Sequence, residues 1–462
     1  MIVMKFGGSS VANASRLRQV ADLVLAARDR APCVVLSAMG KTTDALFAAA
    51  TAALQGGMVE AQVQLDAVFA TAGGAADEVL TAPAATRAAL QTMRSDLETL
   101  LRGVALLREL TPRTRDAIVA HGERLATTVF AALLAQRGAA TLHLDARTVM
   151  RTDDAHGAAS PLRPRIRELA GEHLAPALRD DRIVVTQGYV GATAAGATTT
   201  LGRGGSDWSA ALLGEALGAD EVQIWTDVEG VLTADPRVVP DPRPIPVLSP
   251  AEAAELAAFG AKVLHPATIQ PAVDAGIPVT VRHTLRPHGA FTTIDPRVAA
   301  HPRGHVAALA CRGPVTVLTM TSTRMLAASG HLARLFAAFG ELGICIDLVA
   351  TAEVSVTCTV EPDAPIERLT QALAGFATIE VAEGRAIVAA VGEGLRRAPG
   401  LLARAAAALA PTLPEVVSFG GNDRNLSFVV RHAEVSGAMR RLHAEFFGAA
   451  APAPGTRTQE VG

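Results

Sequence analysis

The sequence predicts a mixed α/β chain: a large layer fold on a mainly parallel sheet, followed by two smaller modules that repeat one another. Three observations carry this. Short apolar runs such as IVMKF, CVVLSA and EVQIWTDV alternate with helical patterns over residues 1–294. The character then changes across a Pro/Arg/His-rich passage, DPRVAAHPRGH. Beyond it, two stretches each read strand, glycine turn, helix, strand, strand, with Gly330 and Gly400 in matching places.

Taken in order, IVMKF is a strand. ASRLRQVADLVLAAR follows as a helix with Leu17, Val20 and Val24 on one face. CVVLSA is an unbroken apolar strand, of the kind a parallel sheet buries on both faces. From about Thr42 to Gln136 the pattern is helical, with breaks expected near Gly56-Gly57, Gly73-Gly74 and Pro112. TLHLDA, RIVVTQGYVGA, EVQIWTDV and IPVTVRH are further strands. The expected division is a large domain over 1–294, a linker over 295–307, modules over 308–382 and 383–450, and a disordered Pro/Gly/polar tail over 451–462. Each module has the βαββ order of ferredoxin-like units.

A chain of 462 residues exceeds one ordinary core. Lys and Arg number 42 against 45 Asp and Glu, a balance that argues against nucleic acid or a polybasic membrane surface as partner. No apolar run approaches ~20 uncharged residues. MIVMKFGG lacks the basic start of a signal peptide. Cys33, Cys311, Cys345 and Cys358 form no CxxC pair and read as free thiols of a cytoplasmic protein.

Five segments carry candidate chemistry. In KFGGSS, Lys5 precedes Gly7, Gly8 and Ser9, which make either a tight turn or a phosphate loop. SAMGKTTD holds the tail of a Walker A loop, but Val35 stands where that loop needs glycine, so Lys41 reads as an exposed loop lysine. Ser37 and Thr43 follow the end of a buried strand, where α/β sheets bind ligands. HGERLAT puts Glu123 in a first helical turn, where a glutamate complements the dipole. In TLGRGGSD, Gly202, Gly204 and Gly205 allow close backbone approach, and Ser206 or Asp207 is expected to cap the next helix. Its N-terminus favours an anion, and Arg203 adds a planar fork for carboxylate or phosphate. IWTDVEGVLTADPRVV ends a strand at Thr226 and Asp227 and turns at Asp235-Pro236-Arg237, and FGAKVLHP places Lys262 just before His265-Pro266. Together these suit a polyphosphate and a small amphoteric substrate.

In this order and spacing, KFGGSS, HGERLAT, TLGRGGSD, IWTDVEGVLTADPRV and GAKVLHP resemble the motifs of the aspartate kinases, in the amino acid kinase family. The C-terminal repeat resembles their paired ACT regulatory modules, nearest to the lysine-sensitive, monofunctional type. The resemblance implies ATP-dependent phosphorylation of the β-carboxylate of L-aspartate to 4-phospho-L-aspartate, the step that opens lysine, diaminopimelate, threonine and methionine synthesis. It implies Mg2+ held mainly through the ATP phosphates and water. Lys5, Asp207 and Lys262 are then catalytic. Lys5, Gly7, Gly8, Ser9, Gly204, Gly205, Thr226, Asp227, Leu232, Arg237 and Lys262 meet ATP. Ser37, Thr43, Glu123, Arg203 and Ser206 meet aspartate, with Glu123 on its ammonium and Arg203 on its α-carboxylate. Met325, Gly330, His331, Leu332, Ile346, Asp347, Ala352 and Glu353 meet an amino-acid effector, lysine above all. A homodimer or homotetramer through the ACT modules is also implied.

The sequence departs from the pattern in places. Ser9 replaces a usual threonine, and Leu232 a tyrosine beside the nucleotide. Ala328, His331 and Ala352 replace serine, phenylalanine and serine at the effector site. The alternatives are a kinase for glutamate or N-acetylglutamate, or a non-catalytic ACT sensor. Glu123 speaks against the N-acylated substrate, and the retained Lys5 and Asp207 against the sensor.

Overall fold

The computed structural model describes residues 1–261, 264, 266–297, 304–322 and 329–448. They form two compact units: Met1–Val231 with Leu264–Val298, and Leu232–Val263 with Ala299–Gly462.

The first unit is a parallel sheet covered by helices. Its strands are β1 (Ile2–Phe6), β2 (Pro32–Leu36), β3 (Thr141–His143), β4 (Ile183–Gln187), β7 (Glu221–Thr226), β8 (Val279–His283) and β9 (Thr292–Ile294), with β5 (Val190–Ala192) and β6 (Thr198–Thr200) as a separate antiparallel pair. Within this unit the order is β3-β4-β2-β1-β7-β8-β9. Pairing is parallel from β3 to β8, and β9 joins antiparallel. β1, β2 and β4 are buried along their whole length, which is why they read as unbroken apolar runs. The chain leaves β1 toward β2 on one side, and β7 lies on the other. Their C-terminal ends therefore flank a topological switch point.

Among its helices are α1 (Ala14–Ala26), α2 (Thr42–Leu54), α3 (Met58–Val79), α4 (Ala84–Leu107), α5 (Pro112–Val119), α6 (His121–Gln136) and, after β6, α7 (Gly205–Leu217). The expected breaks at Gly56-Gly57 and Pro112 are present. The break at Gly73-Gly74 is not: α3 runs straight through. Two mid-helix glycines cost about 1 kcal/mol each. The stripe Leu65, Val68, Phe69, Ala72, Ala75 and Ala76, buried in the unit's main core, outweighs that. The stretch Pro112–Gln136 is long and apolar enough to cross a membrane, but most of it is inside the unit, with Val129, Phe130 and Leu134 fully buried.

In the second unit, packing departs from chain order. Residues 232–263, expected with the large domain, pack with the C-terminal part. Leu309 donates its amide to the Thr233 carbonyl at 2.8 Å, and Ala234 and Val239 enter the core of the second module.

The rest of this unit is one six-stranded antiparallel sheet. Its elements are β10 (His305–Thr321), α8 (His331–Glu341), β11 (Ile346–Thr351), β12 (Ser355–Val360), α9 (Ile366–Ala372), β13 (Thr378–Glu393), α10 (Leu401–Ala408), β14 (Val416–Phe419), β15 (Asn425–Arg431) and α11 (Val435–Phe447). The order is β11-β12-β10-β13-β15-β14. The repeat is real: Gly330 and Gly400 both stand left-handed, at φ 81° and 72°, at the N-caps of α8 and α10. The modules are not consecutive, however. Val315–Thr321 of β10 pairs with Thr378–Arg385 of β13 in the first module, whereas His305–Arg312 pairs with Ile387–Glu393 in the second. The expected border at 382/383 thus falls inside β13. The expected linker ends early, since β10 begins at His305. The first module is inserted between the strand that completes the second and the remainder of it.

Candidate active site

Most of the sequence-predicted catalytic and substrate residues converge in the first unit. A cavity of about 640 Å³ is lined by Lys5, Gly8, Ser37, Thr43, Glu123, Arg203, Gly204, Gly205, Ser206 and Asp207. It lies at the C-terminal ends of β1, β2 and β4, where the sheet topology places it.

Lys5 is the fourth residue of β1, paired in register with Val35 and Ile224, so the sheet fixes its reach. It is 9% exposed, and its Nζ lies 2.6 Å from Asp207 Oδ1, in ion-pair contact but off the line of a hydrogen bond. Gly8 opens a short 3-10 turn whose first amides have no helical partner. A Cβ at Gly8 would lie 2.9 Å from the Ala38 carbonyl oxygen and 3.1 Å from that of Gly40, so only glycine lets the turns after β1 and β2 meet. The expected role of Gly7 is corrected: its amide is spent on the Trp225 carbonyl, at 3.1 Å, because the turn is tied to β7. Ser9 is exposed and outside the cavity lining.

The glycine loop before α7 also needs revision. Neither Ser206 nor Asp207 caps the helix; Gly204 is the N-cap, at φ 72°, with no side-chain cap. A Cβ there would stand 2.8 Å from Thr268 Cγ2. Freed from capping, Asp207 reaches Lys5 and Ser206 faces the cavity. The α7 N-terminus aims its amides at the same space. Arg203 is exposed and has no acidic partner among the described residues.

Glu123 is more than a helix-dipole residue. A Cβ on Gly122 would stand 2.9 Å from Ala38 Cβ, so that glycine brings α6 against the loop after β2. Glu123 Oε1 accepts the Ala38 amide at 3.2 Å, while Oε2 is buried with no hydrogen-bond partner. The side chain is 3% exposed, and burial pushes its carboxyl up to about 8. On the same turn, burial pushes His121 down to about 4, so it is neutral and offers no cation.

Sequence reading missed part of the wall: Gly40, Asp44, Phe47, Gly157 and Tyr189. Phe47 was findable, one helical turn after Thr43 on α2. Tyr189 is the only tyrosine in the chain and sits at φ 67° where the strand expected over RIVVTQGYVGA breaks into β4 and β5.

The nucleotide candidates are less united. Thr226 ends β7 and Asp227 follows it, with the Thr226 hydroxyl donating to Asp227 at 3.1 Å. Leu232 and Arg237 belong to the second unit, where Arg237 pairs with Asp235 at 2.5 Å. Lys262 lies outside the described residues. So do Met325 and Ala328 of the effector set. Of the remainder, Gly330 and His331 head α8, with His331 stacked on Phe376 at 4.2 Å, and Leu332 is exposed. Ile346 and Asp347 start β11, and Asp347 Oδ1 meets Arg312 Nη1 at 2.6 Å. Ala352 and Glu353 are exposed in the turn beyond Thr351, roughly 16 Å of strand from Asp347. The effector candidates therefore occupy two ends of one strand.

Residues 1–283 match the model of the amino acid kinase family, and residues 388–446 match an ACT domain. The chain is 38% identical to the lysine-sensitive aspartokinase 3 of Escherichia coli, over 97% of this chain and 99% of that one. It is 37% identical to the chloroplastic aspartokinase 1 of Arabidopsis thaliana, over 96% and 80%. Its fold matches E. coli aspartokinase III in complex with lysine and aspartate at a TM-score of 0.81 and 37% identity, covering 97% and 99%. The same enzyme in complex with aspartate and ADP matches at 0.80, covering 97% and 100%. The chain belongs to the amino acid kinase family and, within it, to the aspartokinases.

Proposed function

We infer that this chain transfers the terminal phosphoryl group of ATP to the β-carboxylate of L-aspartate, giving 4-phospho-L-aspartate. The observation that carries the substrate reading is Glu123. A buried carboxylate with one free oxygen, facing a cavity and lacking a protein cation among the described residues, is matched to an ammonium group. An N-acylated amino acid could not supply one.

The residues then divide the work as follows. Glu123 takes the α-ammonium of aspartate and Arg203 the α-carboxylate, while Ser37, Thr43 and Ser206 contact the rest. The attacking carboxylate, with a solution pKa of ~3.9, is already ionised and needs no general base. Both reactants are anionic, so the task is alignment and charge neutralisation. Lys5 meets the transferred group, and Asp207 holds Lys5 in place. The amides of Gly8 and Gly204 cradle phosphate oxygens, while that of Gly205 donates to the Gly202 carbonyl at 3.0 Å and closes the loop. Thr226, Asp227, Leu232, Arg237 and Lys262 serve the nucleotide. Mg2+ when bound supplies charge neutralisation on the phosphates. Asp207, a carboxylate lining the cavity, would suit its water shell, since this hard cation takes one or two carboxylates with phosphate oxygens.

Lysine, bound in the E. coli structure, is the proposed effector, with Asp347 as the acid that meets one of its ammonium groups. Assembly through the ACT modules is proposed as well; β11 is a sheet edge with Val349 exposed. The free thiols suit a cytosolic setting.

The test is to trap the acyl phosphate with hydroxylamine, using Mg-ATP with aspartate, glutamate and their N-acetyl forms. Aspartyl hydroxamate is expected, and its absence from folded protein would sink the reading. Lys5→Ala should lower kcat by about a thousandfold while changing the aspartate KM far less, because the lysine meets charge that moves in the transition state.

A further inference from the structure

We propose that Asp116 is a positioning residue of the aspartate pocket: its buried carboxylate locks the Gly157 turn and Thr200 together, and so fixes the wall that carries Gly202, Arg203 and Tyr189. The proposal rests on the reading of the cavity as the aspartate site.

Asp116 lies on α5, outside the cavity lining, and is 1% exposed. An acid so buried needs a reason, since its charge is costly unless fully hydrogen-bonded. Asp116 is saturated by neighbours from two loops. The Thr200 hydroxyl donates to Oδ1 at 2.7 Å and the Thr200 amide to Oδ2 at 3.2 Å. The Gly157 amide donates to Oδ2 at 2.9 Å, and His156 Nδ1 stands 3.1 Å from the same oxygen. A carboxylate only accepts, so His156 must carry its proton on Nδ1.

These donors are the roots of the cavity wall. Gly157 lines the cavity, and a Cβ on Gly202 would stand 3.3 Å from its carbonyl oxygen, so the two turns touch. Arg203 follows Gly202 directly. Thr200 ends β6, and Leu201 donates its amide to the Tyr189 carbonyl at 2.9 Å. Asp116 therefore sets the backbone path of the wall.

The test is steady-state kinetics with each substrate varied in turn. Asp116→Asn replaces an acceptor by an amide that faces other donors. It should raise the aspartate KM about tenfold while the ATP KM stays within about twofold. Thr200→Val should move the aspartate KM in the same direction, and Thr200→Ser, which keeps the hydroxyl, should stay within about twofold of wild type. Equal rises in both KM values, lower melting temperature with unaltered KM, or a T200S variant no better than T200V would each overturn the proposal. If Asp116→Asn does not fold, the Thr200 pair decides alone. Hydroxamate formation by the wild-type enzyme separates failure of this proposal from failure of the aspartate reading.

Discussion

Glu123 in the first unit and Asp347 in the second share an unusual feature: each is a carboxylate with one buried oxygen that has no hydrogen-bond partner. They differ in their company. Glu123 has backbone amides alone, that of Ala38 and its own, and no cation among the described residues. Asp347 has the Arg312 guanidinium at 2.6 Å, and Arg312 also pairs with Glu361. Burial raises both above the usual carboxylate range, to about 8 for Glu123, while at Asp347 the arginine opposes the shift and Glu361 adds to it. On the proposed function, the first is a receptor for a cation, and the second is a site whose cation is partly supplied from within, which an incoming ammonium group would share.

The largest effect that would break this comparison is at Glu123. Glu123→Ala should lower kcat/KM for aspartate by about a thousandfold, the scale of an unpaired buried charge, with the ATP KM little changed. A loss under about tenfold would return Glu123 to the class of ordinary first-turn glutamates.

The next is pH dependence. The folded protein keeps the Glu123 proton between pH 4.5 and about 8, where the unfolded chain has lost it. Ligand-free stability from this group therefore falls as pH rises through that window. Aspartate stabilises the ionised form, so its binding at pH 7 should release a proton. Calorimetry in buffers of different ionisation enthalpy reads this directly, and Glu123→Gln should abolish the buffer dependence.

The smallest effect is at the regulatory acid. Arg312→Gln removes the internal competitor, so the lysine concentration giving half-inhibition should drop several-fold, within the ~1–3 kcal/mol of allosteric couplings. A rise would show that the arginine assists the effector.

Sequence reading picked out much of the cavity lining, because its residues sit on short motifs whose glycines have steric causes: Gly8 against Ala38, Gly204 against Thr268. It failed where long-range packing decides. Nothing in GGSS says that the Gly7 amide goes to Trp225, and nothing in PRTRDA marks Asp116 as the partner of backbone amides 41 and 84 residues away. The helix through Gly73-Gly74 was hidden by local propensity, which a buried stripe overrode. The ACT repeat was legible from paired glycines, but its interlocking was not, because a strand shared between two modules has no local signature.

That shared strand has a consequence for how the second unit folds. Arg312 and Ile387 are register partners roughly 75 residues apart, and closing a free loop of that length costs about 4 kcal/mol. The inner module lies wholly between them. Once it has folded, its own sheet already holds Val315 beside Arg385, and the outer pairing can zip up at almost no further entropic cost. The inner module thus works as a non-covalent staple for the outer one. Anything that tightens the inner module, an effector included, should slow the opening of strands it never touches, which hydrogen exchange at Ala308–Arg312 can follow.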